Sequence, residues 1–257
     1  MDLGLAGKVA IVTGATQGIG RATVERLVAE GAQVAFCARG RERLDEFERT
    51  LRARGASVLP IAADVGVAAD CERVVAQTVA RFGGVDILVN NAGTSATGAF
   101  EGVTDERWQA DFDLKLFGAI RLIRAAIVSM KSRGGGRIVN VTNIGAKQPR
   151  ARSMPTTVTR AAGLAMTKAL SKELGPHGIL VNTVCIGLVR AGQHEARALR
   201  EGLDLEALYT SLADGIPIGR VGRADEAANA IAFLVSEAAS FITGSSINLD
   251  GGASAVL

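Results

Sequence analysis

Tyrosine occurs once in this chain, at Tyr209, so a phenol could serve as acid or base from that position only. The three cysteines, at 37, 71 and 185, are odd in number, unclustered and set among apolar neighbours. Reduced core thiols are expected from them, not disulfides or metal ligands, and a cytoplasmic location follows. No apolar run approaches the roughly 20 residues needed to span a bilayer, and Met1 stands too close to the first strand to leave room for a signal peptide. Proline-rich linkers, repeats and compositional breaks are all missing, so a single α/β domain over 1–257 is expected, large enough to bury a sizeable core. An excess of one charge is missing too: 29 basic and 26 acidic residues leave +3. In RERLDEFERTLRAR (41–54) the two signs alternate along a helix, which reads as a solvated face and argues against nucleic acid as a partner.

Glycine, by contrast, is concentrated where backbone must approach backbone. The stretch VAIVTGATQGIGRATVERLVAEGAQVAF, Val9 to Phe36, reads as an apolar strand, a turn with glycines at 14, 18 and 20, an amphipathic helix and a second strand. Gly14 permits the tight turn, Gly18 and Gly20 clear space between ligand and strand, and the helix offers unpaired N–H groups to a pyrophosphate. Strand before and helix after make this a dinucleotide site and not merely a turn. Strands then alternate with helices: strands at 57–65, 85–90, 136–142 and 179–184, helices at 69–82, about 107–131 and from Thr159 to a stop at Gly175 and Pro176. A further helix at ADEAANAIAFLVS precedes a last strand in SSINLDGG. Such alternation predicts right-handed βαβ units, hence a doubly wound parallel sheet of about seven strands, a Rossmann fold. Ligands sit outside the carboxyl ends of such strands, which makes the segment at about 187–219, irregular with a helical middle, a candidate substrate lid.

TGATQGIG (13–20), AADV (62–65), NNAG (90–93), GRIVNV (136–141), ILVNTV (179–184) and ITGSSINLDGG (242–252) together resemble the short-chain dehydrogenase/reductase family, in particular its ketoacyl-reductase-like branch. The resemblance covers nearly the whole chain in order. It implies that Thr13, Gly14, Gln17, Gly18, Ile19 and Gly20 form the pyrophosphate loop, that Asp64 and Val65 border adenine, and that Asn90, Asn91, Ala92 and Gly93 lie beneath the cofactor. Members that use NAD usually carry an acid at the end of the second strand, where this chain has Ala38 followed by Arg39. No carboxylate there repels a 2′-phosphate and a guanidinium can hold one bidentately, so NADPH is expected over NADH.

The resemblance fails at the chemistry. Members use a Tyr, a Lys four residues later, a Ser thirteen residues before the Tyr, and an Asn on the preceding helix. Aligned from GRIVNV and from Trp108, these positions read Thr156, Arg160, Asn143 and Lys115. No slip restores the pair, because Ala213 lies four residues after Tyr209. The proline-glycine step after the sixth strand has become Cys185, Ile186, Gly187. A threonine hydroxyl does not titrate in the accessible range and a guanidinium will not exchange its proton. Asn143 can still donate a hydrogen bond to a carbonyl oxygen. Lys115 is then the one member of the four able to exchange a proton, its pKa of about 10.4 lowered by burial and a neighbouring guanidinium. The four positions gain a charge over the family pattern, which points to an anionic substrate. An alternative is a lysine that snorkels out of an interface helix.

Other residues take simpler readings. His177, in GPHG, is a helix-end group, and His194 a solvated lid residue within reach of substrate. Lys147, Arg150 and Arg152 could attract an anionic substrate, Lys168 and Lys172 form a solvated or interface face, and Phe100, Trp108, Phe112 and Phe117 are expected to pack. The family usually forms tetramers through the helices that here span 107–131 and 156–174, where Ala161, Leu164, Ala165 and Ala169 share a face. No metal or membrane partner is expected. Three functional readings stay open: an NADP(H)-dependent oxidoreductase with an altered proton donor, a cofactor-binding homologue without turnover that acts as partner subunit or regulator, and a lyase or isomerase that uses Lys115 on an enolisable substrate.

Overall fold

The computed structural model describes residues 2–257, and side chains everywhere in that range except 193–197, so the reading of His194 lies outside the described residues. In chain order the elements are β1 (Val9–Thr13), α1 (Gly18–Ala29), β2 (Gln33–Ala38), α2 (Arg41–Arg52), β3 (Val58–Ala62), α3 (Ala68–Phe82), β4 (Ile87–Asn90) and β5 (Thr97–Gly98). There follow α4 (Asp105–Phe112), a π turn (Asp113–Phe117), α5 (Gly118–Ser132), β6 (Gly136–Asn143), β7 (Met154–Pro155) and α6 (Thr156–Leu174). The chain ends with β8 (Ile179–Ile186), α7 (Gly192–Glu201), α8 (Leu205–Ala213), α9 (Ala224–Leu234) and β9 (Ser246–Leu249). Seven strands form one parallel sheet in the order β3-β2-β1-β4-β6-β8-β9, and β5 pairs with β7 outside it. The winding reverses between β1 and β4, which opens a crevice at the carboxyl ends of those two strands.

Two apolar layers sandwich the sheet, and alternate strand residues feed each: Ala10, Val12, Val34 and Phe36 one layer, Ile11, Ala35 and Cys37 the other. The alternating charges of α2 lie outward as Arg41–Asp45 and Glu48–Arg52 pairs, while Leu44, Phe47 and Leu51 face inward. Pro60 sits in β3, an edge strand, where its missing N–H disturbs no second ladder. Beneath the crevice a buried polar strut ties the sheet to α6. Asn90 donates to Asn140 (2.9 Å), Asn140 to Thr167 (2.9 Å), and Thr167 meets Thr183 (2.8 Å).

The structure departs from the sequence reading in two local ways. The helix expected over 107–131 is two helices joined by the π turn, and Gly118 lets that turn close on β3's loop, since a Cβ there would lie 2.9 Å from the Val65 carbonyl. The 187–219 segment has the helical middle expected of it, in the form of α7 and α8. Trp108 and Phe112 do pack together, rings 6.1 Å apart, but Phe100 and Phe117 are exposed on the outer side of the chain, where Arg121 covers the Phe117 ring. All three cysteines are buried and free, and among the described residues no helix is long and apolar enough to cross a membrane.

Candidate active site

The loop from β1 to α1 closes against the segment after β4. Thr13 Oγ1 accepts from the Asn91 and Ala92 amides at 3.0 and 2.9 Å, and Asn91 Nδ2 donates to the Thr13 and Gly14 carbonyls at 2.9 and 3.1 Å. Gly14 has φ +62°, and a Cβ there would lie 2.8 Å from the Ala92 Cα; a Cβ at Gly20 would lie 2.3 Å from the Gly14 carbonyl. The first turn of α1 leaves the amides of Gly18, Ile19 and Gly20 without intrahelical partners, and no side chain at the N-cap takes them up. Bare backbone, a positive helix end and two glycines that tolerate no side chain fit a dinucleotide pyrophosphate.

The other positions named for the cofactor have separate duties. Ile19 and Val65 are buried in the core, and Asp64 uses its carboxylate to accept from the Gly66 amide at 2.9 Å, which shapes the turn after β3. Arg39 is exposed at the end of β2. Gln17 accepts from Arg43 at 3.2 Å, which brings a second guanidinium to the loop that the motif reading missed. Asn90 Oδ1 is buried and has no hydrogen-bond partner among the described residues, although its amide nitrogen is held by Asn140. A buried acceptor without a donor is costly, and here it lines a cavity of about 20 Å³, the size of about one water, bounded also by Thr13, Lys115, Thr159 and Arg160.

Three of the four positions named for chemistry converge. Lys115, carried by the π turn, is buried with a side chain wholly out of solvent, and its Nζ donates to Thr156 Oγ1 at 2.8 Å. A π turn takes an extra residue into the helical circuit and often marks a functional position. Thr156, at the start of α6, also accepts from the Ala96 amide at 3.0 Å. Arg160, one turn further on, is half-buried; it donates to the Val141 carbonyl at 2.7 Å and lies over Gly93, where a Cβ would come within 2.5 Å of the guanidinium. Asn143, at the carboxyl end of β6, makes no hydrogen bond to these three among the described residues, and its Oδ1 is buried and unpartnered.

Asp111 is the residue that the sequence reading missed. It ion-pairs with Lys115 one turn away and accepts from Thr159 at 2.6 Å, so the expected doubly cationic cluster contains a compensating carboxylate. The i, i+4 spacing of an acid and a lysine was the available signal. Burial, chiefly, and the Arg160 charge push the Lys115 ammonium down to about 8, against the opposing pull of Asp111. Lys147, read as able to attract an anionic substrate, is tied to the Ser246 carbonyl at 3.1 Å and to Asn248 Oδ1 at 2.7 Å, both in β9, which holds its ammonium there. Arg150 and Arg152 stay exposed.

A family model described as Enoyl-(Acyl carrier protein) reductase matches residues 14–254. The chain belongs to the short-chain dehydrogenase/reductase family. Human Dehydrogenase/reductase SDR family member 4 is 37% identical over 249 residues, 96% of this chain and 88% of that protein. A putative ketoacyl reductase of Streptomyces coelicolor is 36% identical over 253 residues, 95% of this chain and 96% of its own length. Among solved structures, L-sorbose reductase of Gluconobacter frateurii, complexed with NADPH and L-sorbose, superposes with a TM-score of 0.95 at 37% identity, with all of both chains covered. An NADPH-bound short-chain oxidoreductase of Pseudomonas aeruginosa, described as containing an atypical catalytic center, gives 0.92 at 38% identity over 98% of this chain and 99% of that one. As in those proteins, this short-chain dehydrogenase/reductase is a seven-stranded Rossmann fold with its crevice at the carboxyl ends of the strands.

Proposed function

We propose that the chain is an NADP(H)-dependent oxidoreductase acting on a carbonyl or hydroxyl compound, or on an activated double bond, with Lys115 and Thr156 delivering the proton that the family's Tyr/Lys pair normally handles. The observation that carries this reading is the buried Lys115 Nζ in hydrogen-bond contact with the Thr156 hydroxyl, 2.8 Å away. An ammonium drawn down to about 8 is a usable acid near neutrality, which a threonine alone is not. The NADPH-bound neighbours support the cofactor, as does Arg39 at the end of β2, with Thr13, Gly14, Gln17, Gly18, Ile19 and Gly20 as the pyrophosphate loop, Asp64 and Val65 at adenine, and Asn90, Asn91, Ala92 and Gly93 beneath the cofactor. When bound, the dinucleotide supplies or accepts the hydride. The Pseudomonas neighbour with an atypical catalytic center makes it consistent that Lys115, Asn143, Thr156 and Arg160 replace the usual Asn, Ser, Tyr and Lys.

Each residue then has a role at a named atom. Thr156 Oγ–H gives its proton to the substrate oxygen and is reprotonated from Lys115 Nζ; the Asn143 amide polarises that oxygen by hydrogen bonding. Arg160 fixes the wall over Gly93, and with Lys115 it leaves two cations against the single carboxylate of Asp111, a net positive charge that favours a substrate with an anionic group. The 187–219 segment serves as a lid, in keeping with Ala191 and Gly192 packed against Gly18 and Gln17. A homo-tetramer through α4, α5 and α6 would cover Phe117 and the exposed Ala165 and Ala169, and three buried free thiols suit a reducing compartment such as the cytoplasm.

One observation favours a second reading, a nucleotide-binding partner subunit or regulator without turnover: the Thr156 hydroxyl is already engaged with both the amide and the carbonyl of Ala96. NADPH oxidation across ketones, enones and acyl thioesters separates the two. An oxidoreductase consumes NADPH with some of them, and a scaffold binds the cofactor and consumes none.

A further inference from the structure

Asp111 is 4% exposed, and both oxygens are engaged, one with Lys115 and the other with Thr159. Among the described residues neither of its hydrogen bonds goes to the pyrophosphate loop, and it lies outside the motifs that carry the family resemblance. A purely mechanical link between α4 and α6 would be made as well by apolar side chains of similar volume, since a buried ion pair seldom improves on them. What an apolar pair could not do is hold a protonated nitrogen in a fixed direction. The carboxylate grips Lys115 from one side, and Thr159, one turn along α6 from Thr156, grips the carboxylate from the other. The ammonium is thereby aimed at the Thr156 hydroxyl across the gap between the two helices.

We propose that Asp111 is a positioning residue of this site, holding Lys115 Nζ against Thr156 Oγ and keeping the ammonium form available there; the proposal rests on the proton-donor reading above. In the step it serves, the substrate oxygen forms an O–H bond with its own electron pair as the Thr156 Oγ–H bond breaks. Thr156 Oγ regains a proton as an Nζ–H bond of Lys115 breaks, and the neutral amine, still hydrogen-bonded to Asp111, is reprotonated from water. The charged groups that face Lys115 are Asp111 from α4, which favours the ammonium, and Arg160 from α6, which opposes it; the hydroxyls of Thr156 and Thr159 complete the surroundings. Without the carboxylate, burial and Arg160 act on the lysine unopposed.

The test follows Lys115 itself by NMR of ¹³C-labelled lysine in cofactor-free protein, with the signal assigned by its loss in Lys115→Met. In Asp111→Asn the titration midpoint of Lys115 should fall by at least one pH unit, a tenfold loss of proton affinity, and Asp111→Glu should restore it. With NADPH and a carbonyl compound that the unaltered protein reduces, the alkaline limb of the rate profile should move down by the same amount in Asp111→Asn. A Lys115 midpoint unchanged by Asp111→Asn overturns the proposal and leaves the Lys115–Thr156 donor standing. A midpoint that moves while the rate profile stays put, or a protein that binds NADPH and reduces nothing in the panel, overturns the donor reading and this proposal with it.

Discussion

Replacing Lys115 by methionine removes one half of an ion pair whose side chains are 0% and 2% exposed, and leaves Asp111 with the Thr159 hydroxyl as its remaining named donor. Stranding one member of a buried pair typically costs about 3–5 kcal/mol. In a chain of this length each kcal/mol moves the melting temperature by about 2–4 °C, so Lys115→Met should melt roughly 6–20 °C below the unaltered protein. Methionine fills most of the lysine stem's volume, which keeps a cavity contribution small. Asp111→Asn together with Lys115→Met removes both charges and should recover most of the loss, to within about 1 kcal/mol of the starting stability. Thermal and urea unfolding of the cofactor-free proteins, followed by circular dichroism, gives the full double-mutant cycle. The double variant should still bind NADPH and fail to turn over, because it leaves the loop glycines and the first turn of α1 unchanged. A Lys115→Met protein within 1 kcal/mol of the original, or a double variant that loses the sum of the two singles, would refute the buried pair.

Three further outcomes are expected. Arg39→Ala should weaken NADPH binding by about 10–100-fold, the loss of a charge-assisted phosphate contact, and leave NADH nearly unchanged; fluorescence titration with both cofactors checks it, and an equal effect on the two would exclude Arg39 from the 2′-phosphate. Gly20→Ala puts a methyl 2.3 Å from the Gly14 carbonyl and 2.5 Å from Asn91 Nδ2, so cofactor affinity should fall at least tenfold with the fold intact, as calorimetry and circular dichroism would show. Stability should also depend on pH through Lys115: its folded pKa of about 8 lies below the ordinary 10.5, so between those values the unfolded chain holds a proton that the folded one lacks, and stability rises with pH. Cys37 and Cys71, held up at about 12 and 11 by burial, act in the opposite sense above pH 9. Subtracting the Asp111→Asn/Lys115→Met double variant isolates the lysine, and the difference should grow by up to about 3 kcal/mol across its window; a flat difference would contradict the burial.

The sheet, its winding and the crevice were legible because period-2 apolar runs, a glycine loop and strand–helix alternation are local signals that agree with one another. The loop glycines were readable for the same reason: Gly14 and Gly20 answer to backbone sterics that no distant residue alters. The π turn was not, since 107–131 has an unbroken helical pattern and the extra residue is set by how the chain closes on Val65. Asp111 escaped because its importance lies in burial between two helices, and an i, i+4 acid and lysine on a helix read by default as a solvated pair. The tie from Lys147 to Ser246 of β9 was not legible either, because a partner 99 residues away leaves no trace in local sequence.

The ladder of amides and hydroxyls from Asn90 through Asn140 and Thr167 to Thr183 fastens α6 to the strands near mid-length, two to three turns beyond the residues that meet the crevice. The first turns of α6 therefore stand like a tool head on an anchored shaft. Side chains at 156 and 160 can be exchanged without releasing the mooring that fixes where they stand. Such a division lets a lineage change which groups handle protons while the distance from those groups to the nucleotide's seat is inherited unaltered.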